Sequence, residues 1–573
     1  MKQSSFCFIL KRRMFGLNSH PKGLRTLFFT EMWERFSYYG MRGILILFLT
    51  SLVQKGGLGM DDKTAAAVYG LYTASVYLAS LPGGWVADRL IGARNAVFVG
   101  GLLIVAGQFT LAVPCVHTFF LGLLLIIMGT GLLKPNISVM VGQLYPNGGV
   151  KQDSGFTIFY MGINVGSAIG PLLVGYLGEK VNWHLGFAAA GLGMVLGLMQ
   201  FKLTGHYLGN IGLRGPDEKP AQRSWNILYA CLASLAILVG LCMLGMISLD
   251  PVKLAEKAAI VIVGLALVFF INAFFFAKLT TNEKKRVGVI ALLFIASAMF
   301  FSGFEQAGSS MNIFAERYTV RDISFLGGIL PAPWLDQFNP VPASWFQSLN
   351  PVFIIILAPM VASMWPMLAK HNCNPPLIIK FALGLIMLAL GFLILAAGAR
   401  IVSDDTQVWP TWLIITYLVH TLGELCLSPV GLSTVSKLSP KRLVGQMMGI
   451  WFLASSLGNL IAGLVAGHIS EGPEEKAPVA IIESSNQDER LAAMDATQIS
   501  QNNFAEKQNL KDLLDQEREM NQIIQAPMQI QSEDSQGILM SRQFMRIFWF
   551  AMGVAGLLFI LSKPVRSVTR EIE

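Results

Sequence analysis

Glu31, Glu34, Arg35 and Arg42 stand inside a stretch, residues 24–53, that is otherwise mostly apolar. With Tyr38 they fall at i, i+3, i+4, i+7 and i+11, the spacing of one helical face. A stretch of this length spans a bilayer as a helix, since ~20 apolar residues suffice. Each charge near the bilayer centre costs ~2.5–3.5 kcal/mol, so four facing lipid would cost on the order of 10 kcal/mol. They must face a protein interior or a wet cavity, paired with one another or with other helices. An ion-pair cluster that only locks helices together is the plain alternative. Ionisable groups inside a membrane segment are functional by default, marking routes for ions, protons or polar solutes.

The elements that position these side chains follow from composition. The chain has 573 residues, of which 53% are hydrophobic and 14% charged. Soluble domains carry roughly 25% charged residues, so the class is a polytopic membrane protein. The net charge of +8 then reflects basic loops, not a nucleic-acid surface. Cys7, Cys115, Cys231, Cys242, Cys373 and Cys426 are scattered, with no Cys-x-x-Cys or Cys/His pairing. Neither a disulfide framework nor a metal site is expected. The short apolar run before Lys11-Arg12-Arg13 does not read as a secretory signal. No Gly-rich loop ends in Lys-Ser/Thr, so an ion gradient must drive any uphill work.

Apolar windows fall at 24–53, 63–87, 95–114, 116–144, 154–178, 183–202, 225–247 and 255–277. Further windows follow at 285–310, 346–369, 376–400, 408–435, 443–468 and 543–562. That is about fourteen spans by the ~20-residue criterion. Lys and Arg concentrate in the tail before 24, at Arg89 and Arg94, at Lys284–Arg286, at Lys437–Arg442 and after Lys563. Asp61-Asp62 and Asp404-Asp405 fall on the opposite side. The positive side is cytoplasmic, which places both termini there.

The segments read as a cytoplasmic tail (1–23), a six-helix bundle (24–202), and a linker with two extra spans (203–284). Next come the first five helices of a second bundle (285–470), a polar outer insert (471–541), the last helix (542–562) and a cytoplasmic tail (563–573). Within the insert, Phe504, Leu510, Leu513, Leu514, Ile523 and Ile524 allow an amphipathic helix. A solvated segment is the plain reading of the insert; a lid or partner-docking element is the sharper one.

Six motifs narrow the class. Gly84-Trp-Val-Ala-Asp88-Arg89-Leu-Ile-Gly92-Ala-Arg94 resembles the loop motif of the major facilitator superfamily, with small residues for close approach and charges that latch helix ends. Glu31-x-x-Glu34-Arg35-Phe-x-Tyr38-Tyr39-Gly resembles the signature of the proton-dependent oligopeptide transporter family. So does Phe156-Thr-Ile-Phe159-Tyr160-Met-Gly-Ile163-Asn164-Val-Gly166-Ser167. Gly131-Leu-Leu-Lys134-Pro135-Asn136, Gln347-Ser-Leu-Asn350-Pro351 and Gly423-Glu424-Leu-Cys-Leu-Ser428-Pro429-Val-Gly431 are similar to that family's as well. The resemblance spans nearly the whole chain outside 471–541, and two extra central spans are usual in bacterial members.

It implies an all-α major-facilitator fold of two six-helix bundles, and symport of di- and tripeptides with protons by alternating access. A short peptide is a zwitterion whose charged ends lie ~7 Å apart in a dipeptide. A promiscuous site should clamp those ends and leave the side chains room. The resemblance gives the carboxylate to Arg42 and Lys134, and the amino terminus to Glu424 with Asn350. It adds Tyr38, Tyr77, Asn164 and Ser428 as hydrogen-bonding or lining residues, and Trp451 as a gate or pocket aromatic. It pairs Glu305 with Arg42, so that a proton on Glu305 would free Arg42 for substrate. Glu31, Glu34, Arg35 and Lys134 form a second coupled cluster. A proton moving down ~100 mV contributes ~2.3 kcal/mol. One pH unit adds ~1.36 kcal/mol, and together these sustain a several-hundredfold gradient.

More local readings stand beside these. Asn164 and Ser428 could only bond neighbouring helices, Tyr77 could be core, and His420 reads as a packing histidine before a proton relay. The Asn136-Ile-Ser138 sequon lies in a span and is not a glycosylation site. Phe301 stands where the family often has Trp, and Ala168 where it has a bulkier aliphatic. The expectation is a bacterial inner-membrane monomer with no cofactor, with protons as coupling ion. The alternatives are a major-facilitator transporter of another solute or drug, and a membrane peptide sensor signalling through the insert.

Overall fold

In a bilayer no water satisfies backbone N–H and C=O groups, so a chain of this composition folds as helices. The computed structural model describes residues 20–569 apart from 147–148, 215–221, 328–330, 372, 403–405, 441 and 468–536. The tail before residue 20 and most of the 471–541 insert lie outside the described residues.

The first six long helices are α1 (Gly23–Thr50), α2 (Asp62–Val86), α3 (Ala93–Leu111), α4 (Val116–Gln143), α5 (Val150–Tyr176) and α6 (Trp183–Thr204). The linker supplies α7 (Gln222–Met243) and α8 (Pro251–Phe275). The second group is α9 (Thr281–Phe304), α10 (Leu349–Lys370), α11 (Leu377–Ala399), α12 (Thr411–Leu438), α13 (Val444–Gly467) and α14 (Gly537–Ile560). Among the described residues the only β pairing is one bridge, between Thr319 and Val408.

Eleven of these helices are long and apolar enough to cross a membrane. The other three, α1, α2 and α12, fill windows also read as spans. They are the more polar ones: α1 holds five charges, α2 holds Tyr69, Tyr72 and Tyr77, and α12 holds His420, Glu424 and Lys437. The last helix begins at Gly537, inside the segment assigned to the insert. A Cβ on Gly537 would meet the carbonyls of Ala399 and Val402 at 2.9 and 2.8 Å, so this helix starts packed on the end of α11.

Local signals set the ends. Asp61 caps α2 by accepting from Thr64 N at 2.9 Å. Thr280 and Glu283 form a reciprocal capping box at α9. Without a hydrophobic force between helices in lipid, small residues set the packing. Gly166 of α5 lies against the Met32 carbonyl of α1, where a Cβ would come within 2.1 Å. Between the halves, Gly70 of α2 meets Gly463 of α13, with a Cβ distance of 2.9 Å. Within the first half α1 packs on α5 and α6, and α3 on α4; between halves α2 packs on α13 and α5 on α10.

Candidate functional site

The α9 helix stops at Phe304, in mid-span, and the chain makes a tight turn over Glu305–Gly308 before a short helix, Ser310–Arg317. Broken helices of this kind expose polar groups where a bundle can use them. Here the break presents Glu305, which is 5% exposed. Its carboxylate pairs with the Arg42 guanidinium of α1, joining the two halves. The Arg42 Nε donates to the Tyr69 hydroxyl of α2 at 2.5 Å. A Cβ on Gly308 would collide with that hydroxyl, so the glycine lets Tyr69 reach Arg42.

Around this pair lies a chamber of about 150 Å³ shared by both halves. The first half contributes Arg42, Tyr39, Tyr160, Asn164 and Ser167; the second contributes Glu305, Gln347, Asn350, Tyr417, His420 and Glu424. Glu424 accepts from Asn350 Nδ2 at 3.0 Å, and the same amide donates to Thr421 Oγ1 at 3.1 Å. One wall therefore holds a cation, and the opposite wall holds a carboxylate with a polar amide. Asn164 lines the chamber, although its Nδ2 donates to the Tyr160 carbonyl of its own helix at 2.9 Å. His420 also lines it while its Nε2 bonds the Leu388 carbonyl at 3.1 Å and its ring lies 4.8 Å from Phe392.

Other expected residues sit beside the chamber. Arg35 Nε lies 3.0 Å from Glu31 and 2.5 Å from Glu34. All three are buried, and the geometry gives contact without aligned hydrogen bonds, leaving both Glu34 oxygens without a donor. Lys134 Nζ sits 4.0 Å from the Tyr77 ring centroid. Neither Lys134 nor Tyr77 walls the 150 Å³ chamber, nor does Tyr38, which stacks on Tyr72 at 6.3 Å. Trp451 fills space over Gly431 and stands edge-on to Phe381, within the second half. Phe301 packs on Gly458, and Phe304, one turn on, reaches the chamber instead. Ser428 belongs to α12, and its side chain lies outside the described residues.

The Gly84–Arg94 loop needs one correction. Gly84 faces open space, whereas its neighbour Gly83 makes the close approach: a Cβ there would meet the Gly131 carbonyl at 2.0 Å. The latch belongs to Arg94, which donates to the carbonyls of Gly209 and Gly205 at 2.9 and 2.6 Å. Gly92 takes φ 79° to turn the chain into α3. Asp88 and Arg89 are exposed.

Polar contacts between the halves crowd one end. Arg317 grips Asp62 through two bonds of 2.7 Å. Glu179 accepts from Ala343 N at 2.7 Å and Ser344 N at 3.0 Å. Ser348 Oγ donates to the Ala168 carbonyl at 2.8 Å. Nearer the middle, Asn312 donates to the Gly43 carbonyl at 2.8 Å and Ser456 to that of Ala74 at 2.9 Å. At the opposite end α2 and α13 meet through Leu81 and Gly449, where a Cβ would lie 3.4 Å from the leucine side chain.

Sequence reasoning did not single out Tyr69 or Tyr417, and it quoted Gln347 in a motif without giving it a place in the site. Tyr69 lay in view at eight residues, two helical turns, before Tyr77. Tyr417 is seven residues before Glu424 on one face.

A family model described as "PTR2: POT family" matches residues 94–482. The "Peptide transporter YePEPT" of Yersinia enterocolitica subsp. palearctica serotype O:3 is 40% identical over 480 residues, covering 82% of this chain and 91% of that protein. A "Di-/tripeptide transporter" of Lactococcus lactis subsp. lactis is 37% identical over 461 residues, covering 79% and 89%. Among solved structures, the crystal structure of "peptide transporter POT in complex with sulfate" aligns with TM-score 0.75 at 36% identity, covering 96% of each chain.

Proposed function

This chain belongs to the POT family, and on that premise we propose that it imports di- and tripeptides together with protons by alternating access. Di- and tripeptides are the substrates named for one relative, and another solved neighbour holds 5-aminolevulinic acid, a small amino acid. The observation that carries the reading is the chamber in which Arg42 of one half and Glu424 of the other face a common space. That arrangement suits a dipolar solute: carboxylate toward Arg42, amino terminus toward Glu424 and Asn350.

In the ion-paired state, Arg42 is held by Glu305 and Tyr69. A proton on Glu305 removes its charge and frees the guanidinium for the peptide carboxylate. The same event loosens the link between halves, so solute capture and gating share one pair. Lys134, seated over the Tyr77 ring beside the chamber, adds positive potential on the first-half side. The Glu31–Glu34–Arg35 cluster offers a place for a second exchangeable proton, since two carboxylates share one guanidinium.

All fourteen long helices cross the membrane in this reading, with α1–α6 and α9–α14 as the two rocking units. The tails lie in the cytoplasm, so Asp62, Glu179 and Arg317 close the outer end. The unit is a monomer in the bacterial inner membrane and uses no cofactor.

The test is uptake of labelled dialanine into proteoliposomes under an inward proton gradient. Glu305→Gln should abolish accumulation and keep dialanine counterflow. Equal accumulation by variant and parent would falsify the coupling role of Glu305.

A further inference from the structure

The central chamber is not the roomiest cavity among the described residues. A slot of about 730 Å³ lies at the flank of the second half, walled by α8, α9, α13 and α14. Its lining is apolar except at Ser302, Gln543 and Arg546. Ser302 is spent on its own helix, donating to the Met299 carbonyl at 2.8 Å. Leu267 of α8, Ile295 of α9 and Phe550 of α14 are 57, 54 and 69% exposed, so the slot opens sideways toward lipid. The α8 wall comes from the helix pair inserted between the two halves.

Arg546 is the anomaly. It lies nine residues, or ~14 Å of helix, after Gly537, the first described residue of α14, and fourteen residues, or ~21 Å, before Ile560. A bilayer core is ~30 Å thick, so the guanidinium starts from within it. Among the described residues its one hydrogen bond runs to Gln543 Oε1, at 3.1 Å. Among the described residues no carboxylate lies within ion-pair distance of it. Gln543 Nε2 in turn donates to the Val465 carbonyl at 3.2 Å, which fixes it at the slot's rim. A cation at this depth needs an anion or must stretch to the headgroups.

We propose that this slot is a binding site for an anionic phospholipid, with one acyl chain between α8 and α14 and the headgroup phosphate on Arg546. The apolar walls suit the chain, the sideways opening gives entry from the bilayer, and the unneutralised guanidinium favours a headgroup of net negative charge. Bound lipid would tie α8 to the second half and give the inserted helix pair a role in fixing that half within the membrane.

The experiment uses the full chain in nanodiscs of phosphatidylglycerol and phosphatidylcholine, with retained lipid counted by native mass spectrometry after purification. Phosphatidylglycerol should be kept about tenfold over phosphatidylcholine. Arg546→Gln should erase that preference, Arg546→Lys should restore part of it, and Arg542→Gln, four residues nearer the helix start, should leave it intact. A photo-crosslinking phenylalanine analogue at Phe550 should label phospholipid. Equal retention of both lipids by the parent, an unchanged preference in Arg546→Gln, or crosslinks from position 550 to residues 468–536 of the chain would each overturn the proposal.

Discussion

Arg35 and Arg42 lie seven residues apart on α1, yet they are partnered in different ways. Arg35 touches Glu31 and Glu34, both on its own helix. Arg42 reaches across the bundle to Glu305 and sideways to Tyr69. The first group keeps its partners however the two halves rock, because one helix carries all of them. The second cannot: any motion that separates α1 from the break after α9 separates the pair. A local cluster can store a proton and set a potential, but only the bridging pair can also report that proton to the interface.

The sharpest way to break this contrast is to remove Arg42. Leaving a buried carboxylate without its partner costs ~3–5 kcal/mol. Arg42→Ala should abolish dialanine uptake and lower the melting temperature in detergent by several degrees. Combining it with Glu305→Ala removes both charges and should recover most of the stability while transport stays lost. A double variant as unstable as the single one would mean that the orphaned carboxylate is not what destabilises Arg42→Ala.

The local cluster should respond more gently. Glu34→Gln removes one ionisable group but keeps an oxygen near Arg35. Loss of one proton-storing site should reduce accumulation under a pH gradient about tenfold, ~1.4 kcal/mol, with counterflow within about twofold of the parent. Counterflow that collapses together with accumulation, as in Arg42→Ala, would erase the distinction drawn between the two groups.

These two groups also show what could be read from the chain alone. The charges of α1 were legible because they violate the apolar rule of a span, and their shared face follows from helical spacing. Resemblance gave Glu424 and Asn350 to one end of the peptide, and the structure places the two side chains 3.0 Å apart. Contacts made through backbone were not legible. Gly83 and Gly84 are adjacent and identical, and only three-dimensional register decides that the first one abuts Gly131. Tyr69 was hidden for a similar reason, since its reach to Arg42 depends on the absence of a side chain at Gly308, far along the sequence. Asp62 opens α2 and Arg317 ends the short helix after α9, and nothing in their spacing announces a clasp between the halves.

The smallest expected effect concerns Lys134, which belongs to neither kind of ion pair. Its ammonium lies over the Tyr77 ring at 4.0 Å, with no carboxylate in ion-pair contact among the described residues. A cation over an aromatic face gains ~0.5–2 kcal/mol, and the face provides it, not the hydroxyl. Tyr77→Phe keeps the face and should leave the KM for dialanine within about twofold. Tyr77→Leu removes it, frees Lys134 to seek the carboxylates of α1, and should raise KM roughly three- to tenfold with a smaller change in kcat. Equal damage from both variants would transfer the role to the hydroxyl. Tyr77 would then be a direct ligand of the peptide, and Lys134 would join Arg42 as a group held ready for substrate, not one parked on a ring.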